Sequence, residues 1–140
     1  MKPIKLIVKT NSEKYPVLIG RNLVENISNL LKQNSINCKR YLLVVDKKIP
    51  KKIISKITKS LKSFEVYLHI FVASEKNKNQ KSIDKILNIL LKKNFTRNDC
   101  LVSIGGGIVG DVTGFAASIF KRGLKFINIP STLLSQVDSS

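Results

Sequence analysis

Apolar and polar residues alternate from Ile4 to Lys9 and, more loosely, from Tyr15 to Ile19, with Asn11-Ser12-Glu13-Lys14 between them as turn material. This predicts a β-hairpin. Gly20 closes it, and Asn22 followed three residues later by Glu25 has the spacing of a capping box for a helix whose apolar face is Leu23, Ile27, Leu30 and Leu31, ending near Asn34. The pattern then changes. Tyr41-Leu42-Leu43-Val44-Val45 is apolar without alternation, as in a strand covered on both faces, and it runs into Asp46.

From there strand and helix patterns take turns. Pro50 suits a first helical turn, and Ile53, Ile54, Ile57, Leu61 and Phe64 recur at helical spacing to about Ser63. A strand follows over Val66 to Val72, then a polar loop (residues 73 to 79) without a hydrophobic anchor. The next helix carries Ile83, Ile86, Leu87, Leu90 and Leu91 on one face. Phe95 to Asp99 reads as a turn, Cys100 to Ile104 as a buried strand, and Asp111 to Phe120 as a helix stopped by Gly123. Lys125 to Ile129 forms a last strand, and Pro130-Ser131-Thr132 opens a final helix. A hairpin followed by repeated strand and helix units predicts an α/β, Rossmann-like domain with a mainly parallel sheet and helices on both faces. Ligands bind such sheets at the carboxyl ends of the strands. Asp46, the 73 to 79 loop, the glycines after Ile104 and the Pro130-Ser131-Thr132 turn are therefore expected on one edge.

Size and composition narrow the field. A chain of 140 residues with 43% hydrophobic residues suits one domain with a proper core. No apolar run approaches the roughly 18 residues of a membrane span, and the N-terminus alternates lysines with apolar residues instead of opening a signal sequence. A cytoplasmic location is expected. Cys38 and Cys100 are too few and too far apart for a disulfide framework or a zinc ribbon, and free thiols are expected. The net charge of +16 raises nucleic-acid binding, but the lysines are spread over every helix pattern and arginine is scarce. The excess charge reads instead as a solvated surface whose field favours anionic, phosphorylated ligands.

Candidate chemistry collects at Gly105-Gly106-Gly107-Ile108-Val109-Gly110-Asp111, where a strand hands over to a helix. Glycine permits positive φ and close approach of a ligand, and a helix N-terminus offers unpaired N–H groups and the positive end of a dipole. Gly105, Gly107 and Gly110 satisfy the G-x-G-x-x-G spacing, but the dinucleotide fingerprint follows the first strand and expects an acid about 20 residues on. Here the loop comes late, and that position falls near Pro130. Two structural alternatives stand beside the ligand reading. The glycines could serve tight strand-to-helix packing, and an acid at Asp111 in a first helical turn would gain ~0.3 to 1 kcal/mol from the dipole whatever its ligand chemistry.

The run from Gly105 to Ala117, Arg122-Gly123, and the string Ile129-Pro130-Ser131-Thr132-Leu133-Leu134-Ser135-Gln136-Val137-Asp138-Ser139-Ser140 closely resemble the 3-dehydroquinate synthase family. Ser74-Glu75-Lys76-Asn77-Lys78 resembles its Gly-Glu-x-x-Lys loop, with Ser74 in place of glycine. The resemblance implies an enzyme of the shikimate pathway that uses NAD transiently and a divalent metal, zinc or cobalt, to convert 3-deoxy-D-arabino-heptulosonate 7-phosphate, a phosphorylated sugar acid, into 3-dehydroquinate and phosphate. By that pattern Glu75 and Lys78, on the loop opened by Ser74, hold the adenosine ribose, and Asp46 lies near the adenosine. Gly106, Gly107, Ile108, Val109, Gly110 and Asp111 meet the pyrophosphate and neighbouring ribose, and Ser131 and Thr132 the nicotinamide side. Asp138 contacts the substrate, and Arg122 reaches its phosphate, within one subunit or across a homodimer interface.

The residues themselves support the cofactor half of that picture only. A catalytic zinc wants three protein ligands and an open position. His69 is the sole histidine, inside a strand pattern, and reads as a packed or surface residue rather than a ligand. The family's glutamate and two histidine ligands, and its Gly-Gly-Lys-Thr segment, would follow Ser140. Residues 1–140 are thus expected to form an N-terminal NAD-binding domain that stops before the helical metal-binding domain and turns over no substrate alone. Other sugar-phosphate cyclases and glycerol dehydrogenases share the architecture, and a non-catalytic basic nucleotide- or anion-binding module is the reading from another class.

Overall fold

The unalternated run Tyr41 to Val45 is fully buried in the computed structural model, which describes residues 2–137. It lies in a strand, β3 (Arg40–Asp46), flanked by β4 (Glu65–Phe71) on one side and β5 (Cys100–Gly105) on the other, with β6 (Lys125–Pro130) beyond β5. All three pairings are parallel, as the unalternated patterns require. The hairpin, β1 (Ile4–Lys9) and β2 (Lys14–Ile19), forms a separate antiparallel sheet with Ile4 opposite Ile19.

Helices cover both faces. Tyr41, Leu43 and Val45 point with Cys100, Val102 and Ile104 towards α1 (Ile27–Gln33) and α2 (Lys51–Ser60), around buried Leu31, Ile57 and Leu61. Leu42, Val44 and Leu101 point the other way, towards α3 (Gln80–Lys92) and α4 (Gly107–Ile119), around Ile86, Leu90, Val109, Val112 and Ala116. A strand's two-residue period divides one sequence between two cores in this way. Each fully buried aliphatic side chain contributes about 1.5–3 kcal/mol. A short helix, α5 (Leu133–Val137), follows β6.

Connectivity creates the functional edge. The chain leaves β3 for a helix on one face, whereas it leaves β4 and β5 for helices on the other. Neighbouring strand ends β3 and β5 therefore open in opposite directions, which is the crevice where doubly wound sheets bind ligands. This also gives the late glycine loop its place: β5 is fifth in the chain but adjoins β3 in the sheet.

Several local expectations fail for physical reasons. The capping box does not form: Asn22 is left-handed (φ 56°) with no side-chain cap, and a 3-10 turn over Leu23–Asn26 precedes α1. Glu25 pairs with Lys56 of α2 instead. Pro50 is the residue before α2, and that helix ends at Ser60, so Phe64 leaves the helix and meets Tyr41 edge-on at 5.2 Å. The 73 to 79 loop is not unanchored, because Ala73 packs on the core and Ser74 caps a 3-10 turn over Glu75–Asn77. The glycine helix begins at Gly107, not Asp111, and has no acid in its first turn. It also ends before Gly123: a 3-10 turn over Phe120–Arg122 intervenes, with Lys121 and Arg122 left-handed.

Candidate cofactor-binding site

Gly105 ends β5 where a side chain has no room. A Cβ there would lie 2.9 Å from Val109 Cγ2 and 3.0 Å from Asp46 Cβ, so the absence of a side chain brings the β3 and β5 ends together. Its carbonyl accepts from the Ser131 N–H at 2.8 Å, tying in the end of β6. Gly106 then caps α4, and Gly110 N–H donates to the Gly106 carbonyl at 3.2 Å, the first bond of the helix. Helix geometry leaves the preceding N–H groups, those of Gly107, Ile108 and Val109, as the unpaired donors of the turn. These are the groups that a pyrophosphate would meet.

Gly110 itself faces inward. It is buried, and a Cβ on it would lie 3.4 Å from the Oδ1 of Asn128 on β6. One turn on, a Cβ on Gly114 would lie 3.2 Å from the ring of Phe126. The packing alternative therefore holds for the third glycine of the pattern, while Gly106, Gly107 and Ile108 keep partial exposure at the crevice.

Around this turn the edge is polar. Asp46 caps the end of β3 and accepts from the Lys48 N–H at 3.0 Å. From the β4 side, the Ser74 hydroxyl accepts from the Asn77 N–H at 3.3 Å, and Asn77 Nδ2 donates to the Val72 carbonyl at 2.8 Å, shaping the turn that carries exposed Glu75 and Lys78. Serine thus fits in place of glycine at position 74, in extended backbone (φ −154°). Lys78 Nζ reaches Asp111 Oδ2 on the second turn of α4 at 2.8 Å. That hydrogen bond, then the charge of Asp111, raises the Lys78 pKa above its ordinary value. From the β6 side, Thr132 Oγ1 lies 3.2 Å from the Ser135 N–H and caps α5, and its methyl group would stand 3.4 Å from a Cβ on Gly106. Ser131 is exposed beside it.

Asp46, Ser74, Glu75, Lys78, the glycine turn, Asp111, Ser131 and Thr132 are therefore brought to one edge. Arg122 is not. It follows the far end of α4, at the opposite edge of the sheet, roughly 20 Å away by the rise of a helix of that length. Asp138 lies outside the described residues. His69 is half-buried on β4, where desolvation, then Lys85, lowers its pKa. Among the described residues no group of three or more His, Cys, Asp or Glu could hold a metal ion. Cys38 and Cys100 are buried free thiols, and no helix among the described residues is long and apolar enough to cross a membrane. Two residues that pattern reading passed over are Asn128 and Ser103, whose side chains meet beneath the glycine turn at 2.6 Å. A polar residue at an inward position of each strand was the available signal.

The fold is shared with enzymes of known structure. It superposes on 2-deoxy-scyllo-inosose synthase, solved with carbaglucose-6-phosphate, NAD+ and Co2+, with a TM-score of 0.87 at 21% identity, over 97% of this chain and 38% of that one. A 2-epi-5-epi-valiolone synthase from Streptomyces hygroscopicus, solved with NAD+ and Zn2+, gives 0.73 at 22% identity over 95% and 37%. Residues 68–140 match the model of the 3-dehydroquinate synthase N-terminal family, and the chain belongs to that family. It is 61% identical over 137 residues to the 3-dehydroquinate synthase of Pelagibacter ubique, covering 98% of this chain but 37% of that protein.

Proposed function

We propose that the chain is the NAD-binding half of an enzyme that converts 3-deoxy-D-arabino-heptulosonate 7-phosphate to 3-dehydroquinate and phosphate. The observation that carries this is the meeting of four strand ends at one crevice, with the free N–H groups of residues 107–109 at its centre. The lack of a Cβ on Gly106 keeps the backbone beside Thr132 open to close approach, as the phosphates of a dinucleotide need. Within it the first turn of α4 receives the pyrophosphate, Glu75 and Lys78 the adenosine ribose with Asp46 beside the adenosine, and Ser131 and Thr132 the nicotinamide side. Asp111 acts by holding Lys78 in place. NAD, when bound, would supply reversible oxidation of one substrate carbon.

The divalent metal has no fit among the described residues, and no step is assigned to it. Its ligands, and the groups around the reacting carbon, are assigned to the part of such an enzyme that this chain, spanning 37% of the Pelagibacter relative, does not include. Arg122, remote from the crevice, serves the substrate phosphate only of a partner subunit in a homodimer, and Asp138 serves the substrate. A cytoplasmic setting goes with this reading.

Thermal unfolding with and without NAD tests it. Ligand at 100 times its Kd stabilises by about 2.7 kcal/mol, a shift of several degrees. NAD-dependent stabilisation is expected, and salt-sensitive binding to DNA without NAD competition would instead favour a basic anion-binding module. In a zinc-supplemented assay the 140-residue chain is expected to release no phosphate from the sugar acid.

A further inference from the structure

The inner face of α4 carries the small residues Gly110, Thr113, Gly114 and Ala117, and at the two glycines an added Cβ would meet side chains of β6 at 3.2 to 3.4 Å. Under Gly114 the support is apolar, the ring of Phe126. Under Gly110, directly behind the free N–H groups of the first turn, it is a side-chain amide. Asn128 Oδ1 and Nδ2 would lie 3.4 and 3.7 Å from a Cβ on Gly110, so the amide is the group that faces the helix at that point and just clears the missing side chain. It is fixed from the other side by Ser103 on β5, fully buried, whose hydroxyl donates to Oδ1 at 2.6 Å. Ser103 and Asn128 are also register partners in the sheet.

A polar pair at inward positions of a packed sheet costs desolvation that two apolar residues would avoid. Its placement supplies something that they would not. The hydrogen bond from Ser103 holds the planar amide in one orientation facing the helix start. We propose that Asn128, anchored by Ser103, is a positioning residue that sets the height and tilt of the first turn of α4, and with it the aim of the Gly107, Ile108 and Val109 N–H groups at a pyrophosphate. This rests on the cofactor reading above for its ligand, but not for its geometry.

Asn128→Asp and Ser103→Ala test this together. The carboxylate keeps an acceptor for Ser103 and nearly the same shape, and the positive end of the α4 dipole tolerates it. It places a negative charge behind the donors that receive the pyrophosphate. On the 140-residue chain, NAD affinity is expected to fall about tenfold or more at pH 8, from the added charge. It is expected to return towards wild type as the new carboxylate is protonated on acidification. The pH profile shows that a charge at this position reaches the ligand; Ser103→Ala, which adds no charge, tests positioning apart from it. Ser103→Ala leaves the amide but frees it, and is expected to weaken NAD roughly threefold, the loss of one hydrogen bond; it carries the comparison should Asn128→Asp not fold. Hydrogen exchange of the bonded amides of residues 110–113 is read in parallel in Ser103→Ala, with faster exchange expected. If the wild type binds NAD and folded Ser103→Ala binds within twofold of it, the proposal is overturned. If the wild type does not bind NAD, the cofactor reading fails separately, and the exchange rates decide the positioning claim: faster in Ser103→Ala supports it, unchanged rejects it.

Discussion

Lys78 and Asp111 join two pieces of chain at the rim: a 2.8 Å ion pair runs from the end of the 3-10 turn after β4 to the second turn of α4. Both side chains are substantially exposed, so the pair adds little to global stability. Its effect is local, holding the Glu75 turn against the glycine helix. Asp111→Asn is expected to leave the melting temperature within about 3 °C of wild type. Titration of the same protein with NAD is expected to show several-fold weaker binding. Because Asp111 raises the Lys78 pKa, the pair's contribution is complete below the ordinary lysine value of 10.5 and is lost as pH rises through the raised one. Asp111→Asn should abolish that alkaline limb.

Gly105→Ala is expected to destabilise by about 1–3 kcal/mol in urea unfolding, the range for forcing atoms into a packed site. The new methyl would meet Val109 and Asp46 at 3.0 Å or less, and both belong to elements that cannot move independently of the sheet. Gly106→Ala, with its nearest neighbour at 3.4 Å, is expected to fold with near wild-type stability. The contrast between the two is the informative result.

Asp99 is 2% exposed and accepts from the Arg40 N–H at 3.0 Å, the Thr96 N–H at 2.8 Å and the Thr96 hydroxyl at 3.2 Å. It pins the start of β5 to the start of β3. Asp99→Ala leaves those donors without their acceptor and is expected to cost about 3 kcal/mol of unfolding free energy by urea denaturation.

His69 gives an acid-side test. Burial, then Lys85, depresses its pKa below 6.5, so the unfolded chain binds the proton more readily than the folded one. The His69 contribution to stability is therefore intact above about 6.5 and declines as pH falls from there towards the depressed value, then levels off. His69→Gln should flatten this part of the stability–pH curve, measured by urea unfolding at several pH values.

The sheet was legible in the chain because burial on both faces leaves a mark: the apolar runs at Tyr41 to Val45 and Cys100 to Ile104 lack the alternation that a half-exposed strand would show. The edge residues followed, since parallel strands present their carboxyl ends together. Caps and helix starts were not legible. Asn22 and Glu25 had capping-box spacing, yet Glu25 found Lys56, a partner 31 residues away that no local pattern reveals. Asp111 looked like a first-turn acid because glycine is a poor helix former. Close packing on the sheet outweighs that cost and carries α4 back to Gly107. The same packing explains why three glycines in one pattern serve different ends: Gly105 joins strands, Gly107 opens the helix to the crevice, and Gly110 rests on Asn128.

Calorimetric titration of the 140-residue chain with NAD tests the central claim most directly. The expected result is saturable one-to-one binding at or below about 1 mM, near −4 kcal/mol, that is weakened by Lys78→Ala. No heat of binding at several times that concentration, roughly 5 mM on the same scale, from a chain shown to be folded would contradict it.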